Sequence, residues 1–112
     1  MKAIDRITQH FTTQETKIIE VPEWADEDGK PLVIHAEPMT LAEKSRLYKM
    51  AKDDDMSLLA YVLILKAKDE HGNKLFTLAE KKTLMEKSDP EVLARVATAI
   101  MNAKTIEEQL GN

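Results

Sequence analysis

The stretch KIIEVPEWADEDGKPLVIHA, residues 17–36, decides the fold class because it carries the clearest strand signals in the chain. Lys17–Val21 and Leu32–Ala36 are rich in β-branched residues, and Pro22 stops the first run. The residues between them are polar and end in the turn sequence Gly29-Lys30-Pro31. This pattern predicts a β-hairpin over residues 16–37.

Alternation along the two runs predicts which face of the hairpin is buried. Ile19 and Val21 form the more apolar set of the first run, and Leu32, Ile34 and Ala36 that of the second. These side chains are expected to pack on helices. A lone two-stranded hairpin is marginal by itself, and its edges invite another strand. The sequence supports two interpretations equally. Either helices of the same chain cover the hairpin, or the hairpin binds another copy of the chain or an extended segment of a client protein.

Residues outward from the hairpin are predicted to be helical. On the N-terminal side, Ile4, Ile7 and Phe11 share one face of a short helix over residues 1–12, which is marginal without a partner. On the other side, Thr40 and Glu43 form a capping box that starts a helix to about residue 52. Its expected apolar stripe consists of Leu47, Tyr48 and Ala51, and Asp53-Asp54-Asp55 ends it and caps the next helix.

The rest of the chain continues the helical pattern. Met56–Lys68 is apolar nearly all round, which is typical of a core helix, although periodicity alone leaves a strand open for Tyr61–Leu65. Thr77–Glu80 is a second capping box, for a helix to about residue 87. Pro90 starts a last helix. The apolar stripe of that helix is Val92, Leu93, Val96, Ala97, Ile100 and Met101.

Together these elements predict an α+β fold that is mainly α, with a short N-terminal helix and a β-hairpin followed by a bundle of about four to five helices. The length of 112 residues suits one domain. Within it, residues 1–37 form the helix and hairpin, residues 38–104 form the helical core, and residues 105–112 form a capped turn or a tail.

Charge and hydropathy exclude two classes of partner. The net charge is −4 with no basic cluster, whereas affinity for nucleic acid comes largely from lysine and arginine at phosphates. No apolar stretch approaches the ~20 residues of a membrane span, and Asp5 and Arg6 interrupt any candidate signal peptide. We therefore expect neither nucleic acid nor a membrane as a partner.

The sequence lacks the motifs and spacings typical of catalysis or metal binding. Cysteine is absent, and His10, His35 and His71 lack the spacing of a helical metal pair. Asp53–Asp55 and Asp26–Gly29 lack the alternating ligands of a calcium loop. There is neither a Gly-x-Ser-x-Gly nucleophile elbow nor a glycine-rich phosphate loop. We expect no catalytic residues, no cofactor and no metal.

Candidate residues for binding another protein come from the hairpin and from the methionines. Trp24 lies in the hairpin loop, where an exposed anchor and packing on the hairpin base are equal alternatives. Methionines suit surfaces that bind varied partners, although core filling is the commoner role. The candidate partner-binding residues are Ile18, Trp24, Val33, Met50, Met85 and Met101.

Taken in order, segments along nearly the whole chain resemble the tail assembly chaperones of phages with long non-contractile tails. The matching segments are Asp5–Thr8 with Phe11, Ile19–Trp24, Pro38–Lys44, Tyr48-Lys49 with Lys52–Asp55, Leu63–Ala67, Gly72 with Lys74–Phe76, and Asp89–Ala97. No single segment is diagnostic, since each is also ordinary capping, turn or core chemistry. Their order and spacing carry the resemblance.

The resemblance implies a non-enzymatic chaperone in the host bacterial cytoplasm. Proteins of that family bind the long tape-measure protein, keep it soluble and help tail-tube protein assemble around it. They are absent from the mature virion, and many have a longer form made by translational frameshifting. The resemblance also makes self-association expected. The competing hypotheses are a structural tail or head-joining subunit and a small regulatory DNA-binding protein.

Overall fold

The computed structural model describes residues 1–102 of the chain. The helices are α1 (Ala3–Thr12), α2 (Leu41–Met50), α3 (Ser57–Lys66), α4 (Lys81–Lys87) and α5 (Pro90–Met101), the strands are β1 (Lys17–Val21) and β2 (Leu32–Ala36), and 3-10 turns lie at Pro22–Trp24 and Leu78–Glu80. This order confirms the predicted α+β, mainly α fold. The expected turn or tail at residues 105–112 lies outside the described residues.

The hairpin has the predicted strands and the predicted buried face. β1 and β2 pair antiparallel, from Lys17 opposite Ala36 to Val21 opposite Leu32. Val21, Ile34 and Ala36 are fully buried, and their partly buried neighbours pack against the same core. Alternation therefore identified the covered face correctly, because a strand packed on one side must place every second residue inside.

Side-chain caps set the starts of α2 and α5, as the sequence predicts, whereas α3 has Met56 at its N-cap and no side-chain cap there, contrary to the cap expected from Asp53–Asp55. The backbone N–H of Glu43 donates to Thr40 Oγ1, and the backbone N–H of Thr40 donates to Glu43 Oε1, both at 3.0 Å. Asp89 Oδ1 accepts the N–H of Glu91 at 2.9 Å at the start of α5. The box at Thr77–Glu80 differs from expectation, because it opens a 3-10 turn, and α4 begins only at Lys81.

The core is built around α3, which contacts α2, α4 and α5. The sequence pattern alone did not distinguish a helix from a strand over residues 61–65, and the structure shows that they are helical. Val62 and Leu63 of α3 are fully buried, as is Val96 of α5. The longest described helix, α5, has 12 residues, and within residues 1–102 no helix combines the length and the apolarity that crossing a bilayer requires.

Two residues expected in the helical core lie outside it. Tyr48 was predicted to continue the stripe of α2, but it is 55 % exposed while Leu47 and Ala51 are buried. A buried stripe of only two residues one turn apart leaves the next position, about 100° further round the helix, facing solvent. Met56 is 60 % exposed because it precedes the first turn of α3.

A buried ion pair fixes the start of α2 to the end of α3. Lys66 is only 4 % exposed, and its Nζ lies 3.1 Å from Glu43 Oε2 and 3.4 Å from the carbonyl oxygen of Pro38. Burial by itself would raise the pKa of Glu43, but hydrogen bonds from the Thr40 backbone and the Lys66 ammonium outweigh it and lower that pKa. Glu43 thus serves the helix cap and the lysine together.

Candidate functional site

Helix α1 presents an apolar face that the rest of the described chain leaves uncovered. Asp5 Oδ2 accepts the backbone N–H of Lys2 at 3.1 Å, which fixes the helix start. None of the residues of α1 is buried, and Ile4 and Ile7 are 60 % and 63 % exposed. Only Phe11 on that face is half-buried. The predicted amphipathic helix is present, and its apolar side faces solvent.

The outward face of the hairpin carries two of the candidate residues, Ile18 and Val33. Ile18 is opposite His35, and Glu20 is opposite Val33, so Ile18 and Val33 are diagonal neighbours on one face. Ile18 is 65 % exposed, and Val33 is half-buried. The structure therefore brings this pair together, as a small apolar patch bordered by a carboxylate and an imidazole.

The two edges of the hairpin differ. At the edge of β2, the N–H of His35 donates to the carbonyl of Lys68 at 2.8 Å, and the N–H of Lys68 donates back to the carbonyl of His35 at 3.1 Å. Of the two alternatives left by the sequence, this residue of β2 is covered, although by the segment after α3 and not by a helix. At the edge of β1, no hydrogen bond joins the outward-pointing backbone groups of Ile18 and Glu20 to another residue within residues 1–102.

A groove of about 490 Å³ runs beside β2. We call it the hairpin groove and define it by Trp24, Asp26, Leu32, Val33, Glu70 and Leu75. The Trp24 ring meets the Phe76 ring edge to face, with centroids 6.4 Å apart and planes at 74°. Trp24 therefore packs against Phe76 and partly against the core while still lining the groove.

A second cleft, of about 530 Å³, lies between the end of α1 and the end of α5. His10 and Gln14 line one side, and Met39 and the candidate Met101 line the other. Lys17 crosses toward α5, where its Nζ donates to the carbonyl oxygen of Ala99 at 2.8 Å. Met101 also packs partly against the core.

The remaining two candidates are separate from these sites. Met50 is half-buried at the end of α2, and Met85 on α4 is 36 % exposed. Neither lines the hairpin groove or the second cleft. The six sequence candidates therefore fall into a hairpin group of Ile18, Trp24 and Val33 and three scattered methionines.

An exposed ion pair holds the turn before Trp24 against α5. Arg95 donates from both terminal nitrogens to Glu23, at 2.6 Å and 2.7 Å. These hydrogen bonds lower the pKa of Glu23 from its ordinary value of 4.5 to about 2 and raise the pKa of Arg95. In the groove wall, hydrogen bonds from the backbone of Asn73 and His71 lower the pKa of Asp69.

No grouping of three or more histidine or acidic side chains suited to a metal ion occurs in residues 1–102. His10 and His71 are exposed, and His35 is half-buried on the outward hairpin face. The described surfaces offer apolar side chains, strand edges and carboxylates.

Sequence reasoning missed several parts of these surfaces. Leu41 and Leu78 are 84 % and 59 % exposed at the two capping boxes, where pattern alone had suggested ordinary helix starts. The groove wall at Glu70 and Leu75 comes from a turn that the sequence places far from the hairpin. One feature of the sequence could have indicated the ion pair of Lys66. This lysine interrupts an otherwise apolar helix end, and a lysine in such a place is typically paired with an acidic side chain.

The fold and these surfaces define a small, mainly helical α+β protein with exposed apolar side chains on several sides. Comparison of the chain with protein-family models, with curated proteins and with solved structures finds no match.

Proposed function

We propose that this protein is a phage tail assembly chaperone that binds the tape-measure protein and keeps it soluble until tail-tube protein assembles around it. The observation that carries the proposal is α1, whose Ile4 and Ile7 stay exposed on a helix that buries none of its residues. A ten-residue helix is marginal in water by itself. Its apolar face suits a role in which another protein covers it.

The sequence resemblance supplies the client. A tape-measure protein is long and helical, and its exposed apolar stripes must be bound by another protein to prevent aggregation before the tube surrounds them. Small apolar surfaces on α1 and on the outward hairpin face give modest affinity per copy, and many copies along one client would add up. Modest affinity also allows tail-tube protein, which a longer frameshifted form would recruit, to displace the chaperone.

The same proposal includes self-association, action in the host bacterial cytoplasm and absence from the mature virion. The edge of β1 at Ile18 and Glu20, whose outward backbone groups have no hydrogen-bond partner within residues 1–102, supports self-association because edge strands pair readily with another copy. A DNA-binding role has less support, since the guanidinium of Arg95 on α5 is held by Glu23.

Co-expression tests the proposal. The chain is produced with the tape-measure protein of its own genome, and the soluble fraction of that client is measured, with light scattering of the purified chain across concentration. We expect soluble client that co-purifies with the chain. Ile4→Asp with Ile7→Asp should reduce the soluble client at least severalfold while leaving the circular dichroism spectrum of the chain unchanged, because neither residue is buried.

The matched control is Arg6→Gln with Gln9→Asp, which changes the net charge by the same amount on the opposite side of α1. It should leave the soluble client unchanged. A client that stays insoluble with the wild-type chain contradicts the proposal. Finding the chain in purified particles would instead support a structural subunit, and a mobility shift of DNA at low salt would support a regulatory protein.

A further inference from the structure

The hairpin groove borders a stretch of strand edge with unused hydrogen-bonding groups. The backbone of His35 points away from β1, because it bonds to Lys68. Backbone direction repeats every second residue of a strand, so the N–H and carbonyl of Val33 point the same way. Within residues 1–102, no hydrogen bond occupies these two groups of Val33.

Apolar side chains lie on either side of this edge. Leu32 and Leu75 pack against the core, and the ring of Trp24 is fixed by Phe76, so the apolar wall of the groove is preformed. Its volume of about 490 Å³ falls in the range of sites that bind ligands in proteins. A preformed wall lowers the entropic cost of binding.

The charge of the groove selects its ligand. Asp26 comes from the hairpin loop, and Asp69 and Glu70 come from the facing turn, while Lys30 is the one lysine among the described lining residues. One oxygen of Asp26 is occupied by the backbone N–H groups of Asp28 and Lys30, and one oxygen of Asp69 by those of His71 and Asn73. Within residues 1–102, no hydrogen bond occupies the second oxygen of Asp26, which can therefore meet a basic side chain.

We propose that the hairpin groove binds an extended segment of a partner protein in which lysine or arginine flanks an apolar side chain. The segment adds to β2 through main-chain hydrogen bonds at Val33, its apolar side chain lies against Trp24, and its basic side chains meet Asp26 and Glu70. A second copy of the chain fits less well, because its net charge of −4 is repelled by the same carboxylates. This proposal rests on the proposed function only for the identity of the protein that supplies the segment.

Trp24 is the only tryptophan of the chain and provides the probe. Its emission is followed while a capped seven-residue peptide of alternating lysine and valine, with leucine at the centre, is added at low ionic strength. A saturable change in emission that weakens with added salt is expected. The same peptide with glutamate in place of each lysine should bind at least tenfold more weakly.

Two changes test the parts of the proposed contact. Glu70→Lys should weaken the lysine peptide roughly fivefold, since it removes one attraction and adds one repulsion. The Glu70 side chain is 73 % exposed, so the variant should fold normally. Glu86→Lys makes the same charge change at an exposed residue of α4 outside the groove and should have no effect. Methylating the peptide nitrogen that would donate to Val33 should weaken binding roughly tenfold by removing a main-chain donor.

Equal binding of the lysine and glutamate peptides, or an unchanged affinity in Glu70→Lys, overturns the proposal. If methylation of the peptide backbone has no effect, the extended pairing at Val33 is wrong. The co-expression test with the client distinguishes this result from failure of the proposed function. If the client is soluble but the peptide does not bind, only the proposal for the groove is rejected. If the peptide binds but the client stays insoluble, only the chaperone function is rejected.

Discussion

Helices α1 and α5 have the same kind of amphipathic pattern, but α5 buries its apolar face and α1 exposes it. In α5 the predicted stripe is buried, including Val96 and Ile100, which are 0 % and 2 % exposed. In α1 the stripe is equally regular, yet Ile4 and Ile7 remain more than half exposed. The pattern of a helix therefore shows that it has an apolar face, but not whether its own chain or another molecule covers that face.

The largest expected effect comes from making the same substitution in the two helices. Ile100→Ala should lower the free energy of unfolding by about 2–5 kcal/mol, because it removes buried methyl groups and leaves a cavity. Ile7→Ala should change it by less than about 0.5 kcal/mol, because Ile7 is exposed. Urea unfolding followed by circular dichroism measures both. Similar losses in the two variants would mean that α1 is covered in solution.

A smaller loss of stability is expected from breaking the ion pair between Glu43 and Lys66, because this pair and not a broad apolar stripe fixes α2 to the core. Glu43→Gln leaves the buried ammonium of Lys66 without its carboxylate and weakens the cap at Thr40. The Glu43 side chain is 32 % exposed, so water moderates the loss to about 1–2 kcal/mol. Urea unfolding measures this loss.

The variant Lys66→Met provides the reference for that measurement, because it removes the buried charge altogether. Adding Glu43→Gln to Lys66→Met should cost less than Glu43→Gln alone. Equal costs in the two backgrounds would show that the cap, and not the ion pair, accounts for the loss.

A pH-dependent effect is expected at the ion pair that joins α5 to the turn before Trp24. Since the folded pKa of Glu23 is lowered to about 2, its contribution is fully present above the ordinary value of 4.5 and is lost as pH falls toward 2. The wild-type chain should melt at a higher temperature than Glu23→Gln at pH 6, and the difference should shrink as the pH falls to 2. A difference that stays constant with pH would contradict this contribution.

The smallest effect on global stability should come from α1, where local opening is expected instead. Backbone amides of α1 should exchange with solvent far faster than those of α3, because residues 1–102 bury none of the residues of α1. Hydrogen exchange measured by mass spectrometry tests this, first with the chain alone and then with the client. Slower exchange in α1 upon client binding would support its role as a docking face, while protection in the chain alone would contradict an uncovered helix.

Local chemistry made much of the fold predictable. The strand bounds follow from β-branched runs ended by Pro22 and by the turn at Gly29, whose φ of 80° favours glycine. The starts of α2 and α5 follow from Thr40 and Asp89, whose side chains reach only a few residues along the chain. Such features depend on neighbours in sequence, so the sequence contains them directly.

The candidate site was less predictable because its parts meet only after folding. Ile18 and Val33 were correctly expected to share the hairpin, since strand alternation places them on one face. The wall of the hairpin groove at Glu70 and the backbone hydrogen bonds between His35 and Lys68 depend on how the turn after α3 returns to the hairpin. No local pattern specifies that return.

The sequence by itself thus determined the element order, the caps of α2 and α5 and the buried face of each strand, because these arise from interactions between residues close along the chain. Only the tertiary structure decided which apolar faces stay exposed, which edge of the hairpin is covered and which charges pair. Arg95 and Glu23, for example, are 72 residues apart in sequence and meet at hydrogen-bond distance. The physical reason is that such contacts depend on the packing of whole elements, and packing is a property of all their surfaces together.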